Sequence, residues 1–243
     1  MDLLTYILTK SRSFQFKQFS IHQEQSAMKV GTDGVLLGAW TMPEGAQNIL
    51  DIGCGTGLIS LMLAQKSKAK ITAIEIDPKA TEEAKLNVKE SPWQNRIKVI
   101  HQSFQKYIDS NSEKAFDSIV CNPPFYRSNQ AKGQRSLARE NEHLPFAELI
   151  QGTAKLLSDN GKFCVIVPAT EGEEFLRFSK MHGLYASRIT FICGNKNTAV
   201  KRHLIQLERR ENIPKVNTII IETSRNNYTP EYQNLLKDYL LIF

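Results

Sequence analysis

Asn48-Ile49-Leu50-Asp51-Ile52-Gly53-Cys54-Gly55-Thr56-Gly57-Leu58-Ile59-Ser60-Leu61-Met62-Leu63-Ala64 reads in three parts. A short apolar run is followed by a glycine-rich turn and then by a stretch of helical character. Strand, glycine turn and helix in that order open a nucleotide-binding β-α-β unit. Glycine is required where the main chain turns tightly and a ligand approaches the backbone. The spacing is G-x-G-x-G, which differs from the dinucleotide pattern G-x-G-x-x-G. No Lys-Ser or Lys-Thr follows it, so it is not a phosphate-binding P-loop.

Downstream, Ile71-Thr72-Ala73-Ile74 ends at Glu75. An acid at a strand end about twenty residues beyond the glycines is placed to accept both hydroxyls of a ribose. A later apolar run, Phe116 to Cys121, is closed by Asn122-Pro123-Pro124-Phe125. On its own, Asn-Pro-Pro is an ordinary loop, since Pro ends strands and Asn favours turns. Combined with the glycine turn it takes on chemical meaning. The Asn122 amide oxygen can accept one hydrogen of a planar amine, the Pro123 carbonyl can accept the other, and Phe125 offers a stacking face. Open parallel sheets bind ligands at the carboxyl ends of their strands, so the two motifs are expected in one cleft. A nucleoside on one side and a flat amine on the other point to methyl transfer from S-adenosylmethionine to an exocyclic amine. Such a reaction needs alignment and charge placement, and no covalent nucleophile.

The remaining pattern alternates strands and helices. Strands are expected over residues 48–52, 70–75, 97–101, 116–121 and 163–167, and helices over 57–66, 78–90, 145–157 and 171–181. The segments 185–192, 203–208 and 217–222 complete the sheet with an antiparallel edge. Ser158-Asp159-Asn160-Gly161 reads as a turn, and the stripe Tyr232, Leu235, Leu236, Tyr239 and Leu240 as a C-terminal helix packed on the core. Phe14, Phe16 and Phe19 interleave with Lys17, a pattern that suits a packed hairpin better than an RNA surface. The expected architecture is α/β, a mostly parallel seven-stranded sheet with helices on both faces. It forms one domain over 1–243 with a short N-terminal extension of about 46 residues.

The chain of 243 residues carries 31 Lys and Arg against 25 Asp and Glu. This modest positive balance permits a polyanionic partner. Arg127, Lys132, Arg135 and Arg139 run without an intervening acid except beyond Arg139, and Lys196, Lys201, Arg202, Arg209 and Arg210 form a second basic group. Either can be a nucleic-acid contact or a solvated surface. The four cysteines are widely spaced and the five histidines form no ligand pattern, so buried thiols in a reducing cytoplasm are expected, with no metal. No apolar run approaches the ~18 residues of a membrane span, and the opening residues lack the features of a signal peptide.

Asp51 to Gly57 with Asn122 to Phe125 resembles the class I S-adenosylmethionine-dependent amino methyltransferases. The likeness is closer to one family, the bacterial tRNA adenine-N6 methyltransferases that modify the adenine just 3′ of the anticodon in a valine tRNA. Phe16-Lys17-Gln18-Phe19, Ala27 to Trp40, Ser91-Pro92-Trp93, Gln134-Arg135 with Ala138-Arg139, and Asn227 to Phe243 extend it over nearly the whole chain. The resemblance implies a Rossmann-like class I fold with S-adenosyl-L-methionine as cofactor. It places Asp51, Gly53, Gly55 and Gly57 at the methionine end of the cofactor and Glu75 at the ribose. Gly31 and Thr32 would approach the methionine moiety. Ser103 takes the region where many relatives place an Asp against the cofactor adenine. Asn122, Pro123, Pro124 and Phe125 would be catalytic, Asn122 also bordering the cofactor, with Phe125 standing where many relatives have Tyr. Lys29, Arg127, Lys132, Arg135, Arg139, Lys201 and Arg202 are the expected tRNA contacts, on a monomer. Methylation of rRNA guanine N2 and of a protein glutamine use the same amide-holding pocket and stay open here. So does an RNA-binding module that keeps only the shape of the fold.

Overall fold

The computed structural model describes residues 13–26, 28–111, 115–124 and 144–243. Eleven strands and seven helices are present among them. In chain order these are β1 (Ser13–Gln15), β2 (Ser20–His22), α1 (Thr32–Trp40), β3 (Asn48–Ile52), α2 (Leu58–Lys66), β4 (Lys70–Glu75), α3 (Pro78–Lys89), β5 (Ile97–His101), α4 (Phe104–Ser110) and β6 (Phe116–Cys121). They continue with α5 (Phe146–Leu156), β7 (Leu157–Pro168), α6 (Gly172–Met181), β8 (Tyr185–Asn195), β9 (Val200–Glu208), β10 (Lys215–Ser224), β11 (Asn227–Tyr228) and α7 (Pro230–Leu236).

The main sheet has the order β11-β10-β8-β9-β7-β6-β3-β4-β5. Strands β5, β4, β3, β6 and β7 pair in parallel, and β9 runs antiparallel between β7 and β8. Every expected strand is present, β10 included over the expected 217–222, in a sheet of nine strands where seven were expected. β10 lies parallel to β8, and the short β11, which the sequence did not suggest, lies antiparallel to β10. The reversed strand β9 is internal, and the antiparallel edge is the short β11. The buried run Leu204 to Leu207 of β9 fits its interior position.

Side chains alternate across the sheet with the period of two that strands impose. Ile49, Ile71, Val120, Cys164, Ile166 and Leu204 face α1, α2 and α7, whereas Leu50, Ile52, Ile119, Phe163, Val165 and Ile205 face α4, α5 and α6. Helix α2 is buried from Leu58 to Ala64, so a chain apolar on all its sides is explained by burial. Helix α3 starts as its sequence indicates: Asp77 accepts from the Lys79 and Ala80 amides at 2.7 and 3.1 Å, and Pro78 follows the cap.

Two expectations change. Residues 158–161 belong to β7, which carries them as an excursion opposite Asp117 between the pairs Phe116–Leu157 and Ser118–Lys162. The turn chemistry of Ser-Asp-Asn-Gly is expressed there as a bulge. The C-terminal stripe is helical only to Leu236; Tyr239 and Leu240 pack beyond it, where Leu240 bridges Phe16. The hairpin β1–β2 forms its own two-stranded sheet, with Phe16 and Phe19 buried and stacked at 4.5 Å and Phe19 edge-on to Trp93 at 5.8 Å.

Candidate functional site

Strands β3, β4 and β6 are parallel neighbours, so Ile52, Glu75 and Cys121 end on one side of the sheet. The chain passes from β3 toward β4 and β5, and only later returns to β6 on the other flank. This is the switch point at which open α/β sheets bind ligands. A cleft of about 760 Å³ opens there, lined by Gly53, Cys54, Glu75, Ser103, Asn122 and Pro123 together with Lys29, Gly31, Thr32 and Arg202. The glycine turn and the double-proline corner thus share one crevice.

Gly53, Gly55 and Gly57 adopt φ of 68, 54 and 82°. A side chain is disfavoured in that left-handed region, which explains all three glycines. A Cβ on Gly53 or Gly55 would meet none of the described atoms within 4 Å, and Gly53 lines the cleft, so main chain is laid bare to it there. Glu75 Oε2 accepts from the Gly55 amide at 2.8 Å, and Oε1 accepts from Ile76 and Asp77 at 2.8 and 2.9 Å. Three main-chain donors therefore fix the carboxylate at the end of β4.

Asp51 lies beneath the turn with no exposure. Its Oδ2 accepts from Ser60 Oγ at 2.7 Å, and Oδ1 has no hydrogen-bond partner among the described residues. Burial pushes its carboxyl up to about 7; the Ser60 bonds oppose this and Glu75 adds to it. Burial likewise drives the Cys54 and Cys121 thiols well above their ordinary range, assisted by Asp51 and Glu75. Neither sulfur is primed as a nucleophile.

Asn122 closes β6, and its Oδ1 is buried without a partner among the described residues. An orphaned amide oxygen costs roughly 1–3 kcal/mol, a cost that an arriving N–H donor removes. Pro123 is buried and Pro124 exposed, both on the cleft wall. Gly31 is the residue before α1 and Thr32 its first helical residue, with no side-chain cap, so free main-chain donors of the first turn lie at the cleft. Ser103 caps α4, its Oγ accepting from the Lys106 amide at 3.3 Å.

The basic residues divide. Lys29 turns its ammonium back onto the carbonyls of Gln23 and Glu24, so it braces its own loop. Arg202 donates from Nε to Asp33 at 2.8 Å at the cleft rim, and Lys201 beside it is exposed. Arg209 is structural: Nη2 donates to the carbonyls of Ala154 and Leu157. Phe125, Arg127, Lys132, Arg135 and Arg139 lie outside the described residues. Sequence reasoning missed Glu83 and Asn87, which secure the loop before α1; their spacing of four on a capped helix was the available signal. No group of three or more His, Cys, Asp or Glu among the described residues could hold a metal, and no helix among them is long and apolar enough to cross a membrane.

Residues 26–185 match the family model described as methyltransferase small domain. A relative from Trichodesmium erythraeum is 45% identical over 233 residues, covering 94% of this chain and 97% of its own. One from Flavobacterium psychrophilum is 45% identical over 232 residues, covering 94% and 99%. A third, from Bacteroides fragilis, is 42% identical over 230 residues, covering 94% and 97%. All three are named tRNA1(Val) (adenine(37)-N6)-methyltransferase. Among solved structures, a predicted O-methyltransferase from Agrobacterium tumefaciens superposes with a TM-score of 0.68 at 18% identity, covering 85% of this chain and 96% of that one. M. jannaschii TYW2 in complex with AdoMet gives 0.56 at 15% identity, covering 82% and 86%. These two speak for the fold alone.

Proposed function

Starting from a chain that belongs to the methyltransferase small-domain family and to the tRNA1(Val) (adenine(37)-N6)-methyltransferases within it, we propose how its cleft methylates the N6 amine of a tRNA adenine. The single observation that carries the reading is the meeting of the glycine turn, Glu75 and the unpaired Asn122 oxygen in one crevice.

S-adenosylmethionine fits these residues. Bare main chain at Gly53, the fixed Glu75 carboxylate and the free donors at the start of α1 suit a nucleoside that carries an amino acid. When bound, it supplies a methyl group already activated on a sulfonium. Glu75 would accept from the ribose hydroxyls, and Asp51 would lend acceptor character beneath the glycine turn. Gly31 and Thr32 would border the methionine end, and Ser103 the cofactor base.

An aryl amine is a poor nucleophile because its lone pair is delocalised into the ring. Asn122 Oδ1 takes one amine hydrogen and the Pro123 carbonyl takes the other. The lone pair is thereby directed across the cleft. Neither acceptor binds a proton at neutral pH, so both act by alignment; the proton that the amine loses on methylation would pass to solvent, with S-adenosylhomocysteine as the other product. Pro123 and Pro124 hold the corner rigid, and Phe125 stacks on the base, worth about 1–3 kcal/mol. A loop base enters at less cost than one in a helix, which must be unstacked for a few kcal/mol. Arg202 and Lys201 at the rim, with the basic run Arg127, Lys132, Arg135 and Arg139, receive the phosphate backbone. We assign the enzyme to the cytoplasm, in keeping with four free, buried thiols.

Incubation with labelled S-adenosylmethionine and tRNA lacking the modification, followed by digestion to nucleosides, tests the reading. Label is expected in N6-methyladenosine. Label in N2-methylguanosine, or in protein glutamine, would refute it.

A further inference from the structure

Met28, Lys29, Gly31 and Thr32 wall the cleft, but the segment before them has no place in the main sheet. It is held by α3. Glu83 and Asn87 stand four residues apart on that helix and so share a face. Both are buried, at 6% and 1% exposure. The Glu83 carboxylate accepts three consecutive main-chain amides: Oε1 from Glu24 and from Gln25 at 3.0 Å, and Oε2 from Ser26 at 2.9 Å. Asn87 Oδ1 accepts from the His22 amide at 2.8 Å, while its Nδ2 donates to the carbonyls of His22 at 3.0 Å and Thr56 at 2.9 Å. Thr56 belongs to the glycine turn. One side chain thus ties the end of β2 to the glycine turn, whose Thr56 also lines the cleft.

Two buried polar groups here make six bonds to main chain. A carboxylate this deep is costly without full pairing. Apolar side chains would pack α3 against the hairpin, but they would not fix the main-chain register of residues 22–26. Beyond that segment the loop braces itself, with Gln23 Oε1 accepting from the Val30 amide at 2.6 Å and Ser26 Oγ donating to the Met28 carbonyl at 3.1 Å. A register set at Ser26 is thereby transmitted to Gly31.

We propose that Glu83 and Asn87 are positioning residues for the cofactor site, setting the gap between the glycine turn and the Met28–Thr32 wall and so the affinity for the nucleoside cofactor. This rests on the function proposed above. Glu83→Gln keeps the size but turns an NH2 toward at least one of the three amides; Asn87→Asp keeps the acceptor and sets a carboxylate against two carbonyls. In each variant the KM for S-adenosylmethionine and the calorimetric Kd for S-adenosylhomocysteine should rise together by about tenfold, the scale of one lost hydrogen bond to a charged group. The kcat per active site should stay near that of the wild type.

Lower thermal stability with unchanged KM and Kd per active site would make the pair a fold staple and overturn the proposal. Absence of S-adenosylhomocysteine binding by the unaltered protein would instead sink the functional reading, so the two failures are distinguishable. Should neither variant fold, amide exchange on the unaltered protein decides. The Glu24, Gln25 and Ser26 amides should already be protected without ligand, and free exchange until S-adenosylhomocysteine is added would refute a pre-set wall.

Discussion

Asp51→Asn tests the electrostatics under the glycine turn. The carboxyl moves from 3.8 to about 7 on folding, mainly through burial. Its folded pKa is raised, so the native state holds the proton more tightly. The stability this confers is fully present below about pH 3.8 and is lost as pH rises through about 7. Linkage then gives a loss of about 2.6 kcal/mol between about pH 5 and about pH 8 from this group alone. Asparagine has the same shape and no titration in that range. Urea denaturation of both proteins at several pH values measures the effect, because the other ionisable groups cancel in the difference. The unaltered protein should lose ground relative to the variant as pH rises, most steeply between about pH 5 and about pH 7. A difference that is flat with pH, or one that grows in the opposite sense, would refute a carboxyl raised by burial at Asp51.

Three further outcomes are expected. Asn122→Ala should leave S-adenosylhomocysteine binding by calorimetry nearly intact while single-turnover methylation falls by at least about 100-fold; equal losses in both would contradict its role. Gly57→Ala places a side chain at φ 82° and should destabilise the fold by about 1–2 kcal/mol in denaturant titration. Contact is not the cause, since the new Cβ would lie an unstrained 3.5 Å from Ala84. Lys201→Ala should flatten the dependence of tRNA affinity on salt by about 0.7–0.9 in log–log slope, whereas Lys29→Ala, whose ammonium is turned onto its own loop, should leave that slope unchanged.

The glycine turn, the β4 acid and the Asn-Pro-Pro corner were legible because each depends on local chemistry: positive φ, a strand-end carboxylate, a strand stopped by proline. The helix start at Asp77-Pro78 was legible for the same reason. What the sequence hid depends on partners far along the chain. Lys29 and Arg202 look alike as free cations, yet one folds back on the Gln23 and Glu24 carbonyls and the other meets Asp33 across 169 residues. Ser158 to Gly161 has the composition of a turn, but pairing with β6 draws it into β7 as a bulge. The place of β9 inside the sheet is also unreadable from its own residues, since burial on both faces looks much the same beside any neighbour.

That interior strand bears on how the chain emerges from the ribosome. β7 can pair with β6 as soon as it is made, but its other edge must wait for β9, with α6 and the whole of β8 synthesised in between. Until then a run containing Phe163, Val165 and Val167, wholly covered in the finished molecule, offers an unpaired edge to other nascent chains. The half of the sheet from β3 to β6 needs nothing from beyond Cys121 for its own pairing. Truncation between β8 and β9 should therefore yield polypeptides that aggregate through the β7 edge, and those ending after β9, where that edge is paired, should aggregate less, with only the β8 edge still waiting for β10.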